Sequence, residues 1–497
     1  MQEVLESIRL FLPELALTCG LLLVVLVDAS GVRGRDPVNR FLTLATLAAA
    51  LGLCFTLPAE PRQIWSGMLA LDPASIFFKE LLILATLLVL LVFRFGGSRE
   101  LAGLGQGEFY ALMLAVTLSN LMLAAANDLT MIYLALEMVS IGSYVLVAYL
   151  KGDRMSNEAS LKYVLFGAVS TGAMLYGFSL LYGMAGTTSL PGIRDFLAAG
   201  LSDTARFSMY VITLLVVAGF GFKTAAVPFH FWCPDVYQGA PTPVTAFLSV
   251  APKAAGFAIM LRFFFRGMAL EGTGPWDLEA SIDWPQLVMW LSVATMTVGN
   301  VAALTQTNMK RLLAYSSIAH AGYIMMGLVA LSANGAQAIM IYLLAYLVMN
   351  LGAFLVVALI HNADGSFDLR DYQGLYRRAP FLTAAMAIFM LSLIGIPPLV
   401  GFVGKLYVFG AVVEKGSGYY WYALVGAVNA AVAAFFYARV LKTMIIDEGG
   451  EDKPPLLLPR RDLVWVGVLA AANVLPLLWW AAVDGWARGS LTLYAGM

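Results

Sequence analysis

Four ionisable residues stand in stretches that are otherwise apolar: Glu137 in LALEMVSIGSY, Lys223 in GFGFKTAAVP, Lys253 in LSVAPKAAGF and Lys405 in GFVGKLYVF. Desolvation disfavours the charged form of such a group, and a nearby opposite charge restores it. A Glu–Lys pair in these surroundings titrates when its geometry changes, so the chemistry these types permit is proton handling. If Glu137 and Lys223 approach each other, separating them favours proton release from the lysine. The proton then passes to Lys253 through water and hydroxyls, with Lys405 as the terminal donor or acceptor on the other side.

Other ionisable residues extend the set. His320, in SSIAHAGY, has serines on its own helix and lies between the two groups of lysines. A relay role and a neutral histidine satisfied by a serine or carbonyl both fit it. His230, in PFHFWCPD, sits at a helix break toward the cytoplasmic side and marks a point of proton uptake. Lys162 lies only a few residues into its helix, where a structural role competes with a functional one. Lys79 and Glu80 lie near the start of a span, within snorkelling reach of the interface. His361 lies at a helix end beside a polar loop and reads as solvated.

The elements that position these residues follow from composition. The chain is 60% hydrophobic and 12% charged, with mean hydropathy +0.81, whereas soluble domains carry about 25% charged residues. That excludes a soluble globular domain. Fourteen apolar stretches, each of about 20 residues and enough to cross a bilayer as helix, run from Ile8–Val27 to Leu463–Trp486. A lysine at the centre of such a helix disfavours insertion by about 2.5–3.5 kcal/mol. Intramembrane charges therefore usually face a bundle interior or a water-filled path. The first stretch is a helix rather than a signal peptide, because Glu3 and Glu6 replace the basic n-region. Of the thirty Lys and Arg, seventeen fall in odd-numbered connections and adjoining helix ends, eight in even connections and termini, and five inside spans. The positive-inside rule then puts the odd loops, with Lys310, Arg33, Arg94 and Lys453 among them, in the cytoplasm and both termini outside. Cys19, Cys54 and Cys233 stand singly and read as packing residues. Trp65, Trp276 and Tyr419–Tyr422 read as interface anchors.

Two spans are interrupted. Pro228 breaks the seventh, and GIPPLVGFVGK at 395–405 breaks the twelfth. Proline frees a backbone carbonyl, and irregular backbone at membrane depth survives only against buried protein or water. Paired breaks in two halves also mark inverted-repeat transporters. The expected fold is an all-α polytopic membrane protein with two inverted five-helix repeats, helices 4–8 and 9–13, in which helices 7 and 12 are broken. Its parts are an N-terminal three-helix segment (1–106), a first repeat (107–268), a second repeat (284–446) and a loop with a C-terminal helix (447–497).

No G-x-G-x-x-G after a strand, Walker A motif, CxxC or intramembrane histidine pair is present. No site for NADH, flavin, ATP, haem or a metal cluster is therefore expected in this chain, and no nucleic-acid partner.

The Glu in helix five, the Lys before the break in helix seven, PFHFWCPDVYQGAPTPVTAFLS, the Lys in helix eight and PPLVGFVGK resemble the antiporter-like subunits of respiratory complex I, the proton-translocating NADH:quinone oxidoreductase. The resemblance spans nearly the whole chain. It implies a translocase subunit of a bacterial inner membrane, partnered by other membrane-arm and antiporter-like subunits. FMN, iron–sulfur clusters and quinone are implied in partner subunits only. It also implies roles: Glu137 and Lys223 as an ion pair, Lys162 as an auxiliary lysine near it, Lys253 and His320 on a central hydrophilic axis, and Lys405 in the outward half-channel. Since some relatives carry Glu at the helix-twelve position, Lys405 argues against the middle antiporter-like subunit.

Two other readings compete. A subunit of a multisubunit cation/proton antiporter shares the helix-five to helix-eight pattern and needs no redox partner. A structural spacer would seldom keep four deep ionisable groups at such cost.

Overall fold

In a bilayer every backbone N–H and C=O must be satisfied within the protein, so apolar runs of this length become helices. The computed structural model describes residues 2–31, 34–93, 98–271, 278–449 and 454–491. Its helices are α1 (Gln2–Leu10), α2 (Leu12–Ala29), α3 (Arg35–Cys54), α4 (Pro73–Val92), α5 (Gly107–Ala125), α6 (Leu129–Val147), α7 (Arg154–Ala185), α8 (Leu190–Ala198), α9 (Asp203–Thr224), α10 (Trp232–Gly239), α11 (Thr242–Arg262), α12 (Trp284–Ala303), α13 (Met309–Ala330), α14 (Ala333–Asp364), α15 (Leu375–Arg378), α16 (Pro380–Ile394), α17 (Val400–Glu414), α18 (Tyr420–Ile445), α19 (Arg460–Ala472) and α20 (Trp480–Gly489). Among the described residues, twelve helices are long and apolar enough to cross a membrane singly. Arg460–Ala472 and Leu475–Gly489, bent by 44°, make a thirteenth if they form one span. The expected twelfth stretch is divided into α16 and α17, of 15 residues each. Two short hairpins, Arg62–Ile64 with Leu69–Leu71 and Ala269–Glu271 with Leu278–Ala280, lie in the connections.

Side-chain caps set the helix starts. Asp72, Asp128, Asp153, Asn308 and Ser332 each accept a backbone N–H of the following first turn, which satisfies donors that a helix leaves open. Several features occur twice. Leu129 N–H bonds Thr188 O while Leu190 N–H bonds Asn127 O; about 180 residues later Met309 N–H bonds Phe367 O and Leu369 N–H bonds Thr307 O. Between each pair of bridges runs a 32-residue helix, α7 or α14, that stops at a left-handed glycine, Gly186 or Gly365. Both breaks carry a cis X–Pro bond, at Pro228 and Pro398.

Helices α11, α13 and α14 are buried almost throughout, whereas α2, α3, α7 and α18 present wide apolar faces outward. The polar side chains of interest therefore project into a protein-lined centre. The N-terminal charges are also buried: Lys79 pairs with Glu14 at 2.7 Å and Glu80 is enclosed. Neither snorkels, because α2 and α20 cover that turn of α4. A buried bidentate pair, Arg262 with Asp72 at 2.7 and 2.9 Å, ties α11 to the start of α4.

Other sequence expectations need correction. Cys19 faces outward, while Cys54 and Cys233 are buried. Tyr422 is core, its hydroxyl donating to Ser292 at 2.7 Å, because α18 turns that face toward α12. His361 is half-buried and stacks on Phe367 at 3.9 Å. Lys310, in the first turn of α13, is not solvated but 1% exposed. Arg33, Arg94, Lys453 and Trp276 lie outside the described residues.

Candidate functional site

Lys223 occupies the last turn of α9, which ends where Ala225 takes a left-handed conformation, φ 59°. Its Nζ donates to Ser140 Oγ on α6 at 3.3 Å. Glu137, one turn earlier on α6, is half-buried and acts electrostatically on Lys223. The two do not form the expected direct ion pair; Ser140 holds the lysine instead. Beyond the break, α10 folds back on the same corner: Trp232 Nε1 donates to Phe222 O at 3.0 Å and its ring stacks on Tyr163 at 4.4 Å.

Lys253 sits in mid-α11 behind Pro252. Its Nζ donates to Ser317 Oγ at 2.5 Å and to Ser317 O at 3.2 Å. Tyr237 of α10 shares that hydroxyl at 3.3 Å, with its ring 5.9 Å from the ammonium. The neighbouring Ser316 contacts the Tyr437 hydroxyl at 2.5 Å. Tyr437 in turn lies 3.2 Å from His320 Nε2, and His320 Nδ1 lies 2.8 Å from the Tyr342 hydroxyl. Serine, tyrosine and histidine both donate and accept, so this is a row of exchangeable protons. Lys253 and Lys405 both act electrostatically on His320.

Lys405 influences His320 electrostatically and shares no hydrogen bond with this row. Its Nζ donates to Leu393 O at 3.0 Å and Ile394 O at 2.6 Å, and lies 4.9 Å from the centre of the Tyr323 ring. Those carbonyls end α16 at the break, where Pro397 and Pro398 supply no N–H. The broken helix thus makes the acceptor site that holds the lysine.

Two expected residues lie apart. Lys162 is partly exposed and pairs with Glu158 at 2.9 Å and Asp235 at 2.7 Å, not with the Glu137–Lys223 corner. Asp235 also binds Arg311 at 2.6 Å, so it joins α7 to α13. His230 is buried within the break and packs on Phe231 at 4.4 Å, with no hydrogen bond to Lys223, Lys253 or His320. Sequence reading missed Ser140, Asp235, Tyr342 and Tyr437; a tyrosine inside an apolar stretch gives no signal until its partner is known. Among the described residues no group of three His, Cys, Asp or Glu side chains could hold a metal.

Residues 126–432 match the family described as NADH:quinone oxidoreductase/Mrp antiporter, TM. The chain is 46% identical to NADH-quinone oxidoreductase subunit N of Anaeromyxobacter sp., over 99% of this chain and 98% of that one. It resembles a chain in the structure of respiratory complex I from Thermus thermophilus, with 32% identity, TM-score 0.77 and coverage of 95% and 98%. A chain of the Mrp complex from Dietzia sp. shares the fold, at 20% identity and TM-score 0.81, with 98% of each chain covered. A membrane bundle with this row of buried bases, matched over nearly its whole length, belongs to the NADH:quinone oxidoreductase/Mrp antiporter membrane family, in the subunit N group.

Proposed function

We propose that this chain translocates protons as a membrane-arm subunit of a NADH:quinone oxidoreductase, along Glu137, Lys223, Lys253, His320 and Lys405. The observation that carries the reading is His320, hydrogen-bonded on both ring nitrogens between the sites of Lys253 and Lys405. A buried base bonded only to groups that can pass a proton suits relay better than packing. Lys162, held by Asp235, and His230 belong to the cytoplasmic approach to Lys223. Quinone reduction, with its FMN and iron–sulfur clusters, takes place in partner subunits and alters the charge balance at Glu137.

The same reading orders the fold. Fourteen crossings place both termini outside the bacterial inner membrane, and the odd loops with their excess of Lys and Arg on the cytoplasmic side. Residues 107–268 and 284–446 form inverted five-helix units between an N-terminal segment (1–106) and a C-terminal helix (447–497). The twice-occurring bridges and 32-residue helices support this division.

A second reading, a subunit of a multisubunit cation/proton antiporter, is favoured by the fold shared with the Mrp complex chain. Tagging the chain, extracting it in mild detergent and identifying what co-purifies separates the two. Flavin and iron–sulfur subunits with NADH:quinone activity are expected. Small hydrophobic antiporter subunits alone, with sodium-dependent proton exchange, would transfer the conclusion to the second reading.

A further inference from the structure

Lys310 is a buried lysine that the row above does not use. It lies at the cytoplasmic end of α13 and is 1% exposed. Its Nζ donates to Ala240 O at 2.5 Å, lies over the Phe367 ring at 4.6 Å, and stands 3.6 Å from Glu100 Oε1. Glu100 accepts the Thr242 N–H at 2.8 Å through its other oxygen, and its side chain keeps 10% exposure to the outside. Asp153, His361 and Arg99 are the other charged or titratable groups that face this corner.

From there a polar seam leads inward. Along α11, Thr245, Ser249 and Lys253 follow one another at four-residue spacing, on one face of the helix. Across the seam, Asn350 of α14 donates to Ser249 Oγ at 2.6 Å. Two side-chain atoms on this route, Thr242 Oγ1 and Asn350 Oδ1, are fully buried and make no hydrogen bond among the described residues. A buried polar atom needs a partner, and the polar surroundings suit water. Ser249 lies one turn of α11 before Lys253, and none of these seam residues belongs to α6 or α9.

We propose that Glu100 and Lys310 form a second cytoplasmic proton inlet, which reaches Lys253 directly along the seam between α11 and α14. Protonated Glu100 gives its proton to neutral Lys310, leaving a carboxylate and an ammonium. Lys310 then passes the proton along the seam to neutral Lys253 and returns to its starting form. The inlet rests on the reading of Lys253 as a proton relay.

The test measures protons pumped per quinone reduced by the assembled complex in proteoliposomes. Glu100→Gln keeps an oxygen for the Thr242 N–H but carries no transferable proton. Asn350→Leu fills the seam while leaving the Glu100–Lys310 contact intact, so it stays informative if the first variant assembles poorly. Both are expected to pump less than the unsubstituted complex, and Glu100→Gln combined with Lys223→Ala less than either alone. If Lys253→Met stops this subunit's pumping but Glu100→Gln and Asn350→Leu pump normally, the inlet is wrong and the relay stands. If Lys253→Met itself pumps normally, the relay reading fails and the inlet with it.

Discussion

Lys253 and Lys405 are both buried lysines, and replacing either with methionine removes the same kind of insertion penalty, about 2.5–3.5 kcal/mol. What each leaves behind differs. At Lys253 the partner Ser317 Oγ keeps the Tyr237 hydroxyl, and Ser317 O remains within the helical ladder of α13. At Lys405 the Leu393 and Ile394 carbonyls lose their donor, with the two prolines after them unable to replace it. Each buried, unsatisfied carbonyl costs about 1–3 kcal/mol. Lys405→Met should therefore be less stable than Lys253→Met by about 2–6 kcal/mol, since the desolvation term is common to both. Lys405→Arg keeps donors at the break and should recover much of the difference. The assay is the temperature at which the subunit is lost from the purified complex, together with its abundance in membranes. Equal losses in the two methionine variants, or an earlier loss of Lys253→Met, would refute this account of the break.

Three further substitutions probe packing and relay separately. Arg262→Leu strands the buried Asp72 carboxylate and should cost about 3–5 kcal/mol, read as lost abundance; a Leu at both positions should restore most of it. Tyr437→Phe removes the hydroxyl between Ser316 and His320. It should lower stability by only about 0.5–1.5 kcal/mol while reducing pumping, and undiminished pumping would show that protons bypass Tyr437. Gly299→Ala would bring a Cβ within 2.6 Å of Ala319 N. Overpacking of the α12–α13 contact should cost about 1–3 kcal/mol, and unchanged thermal stability would count against that tight approach.

Much of this arrangement was legible because charge in an apolar stretch is expensive and proline in a helix is disruptive. Lys223, Lys253 and Lys405 stand out for the first reason, the two breaks for the second. Most of the spans followed from length and apolarity, whereas the short helices α8, α10 and α15 did not. What escaped was pairing. Glu14 looks like an ordinary first-turn acid until α4 brings Lys79 to it. Lys310 and Arg311 are adjacent in a polar stretch, and only the Asn308 cap and the turn it fixes send Lys310 inward and Arg311 toward Asp235. Glu137 shows the converse: its position was evident, but its distance from Lys223 depends on which face α6 turns to α9. The tyrosines that complete the row around His320 carry no signal in an apolar stretch, where aromatic residues are common for packing alone.

The central claim is that protons cross this chain through Lys253. The most direct test reconstitutes the complex bearing Lys253→Met in proteoliposomes and measures proton translocation and quinone reduction together. Fewer protons per quinone reduced, or coupled turnover that fails while the complex stays assembled, is the result this account predicts. An assembled variant with full turnover and an unchanged proton-to-quinone ratio would contradict it.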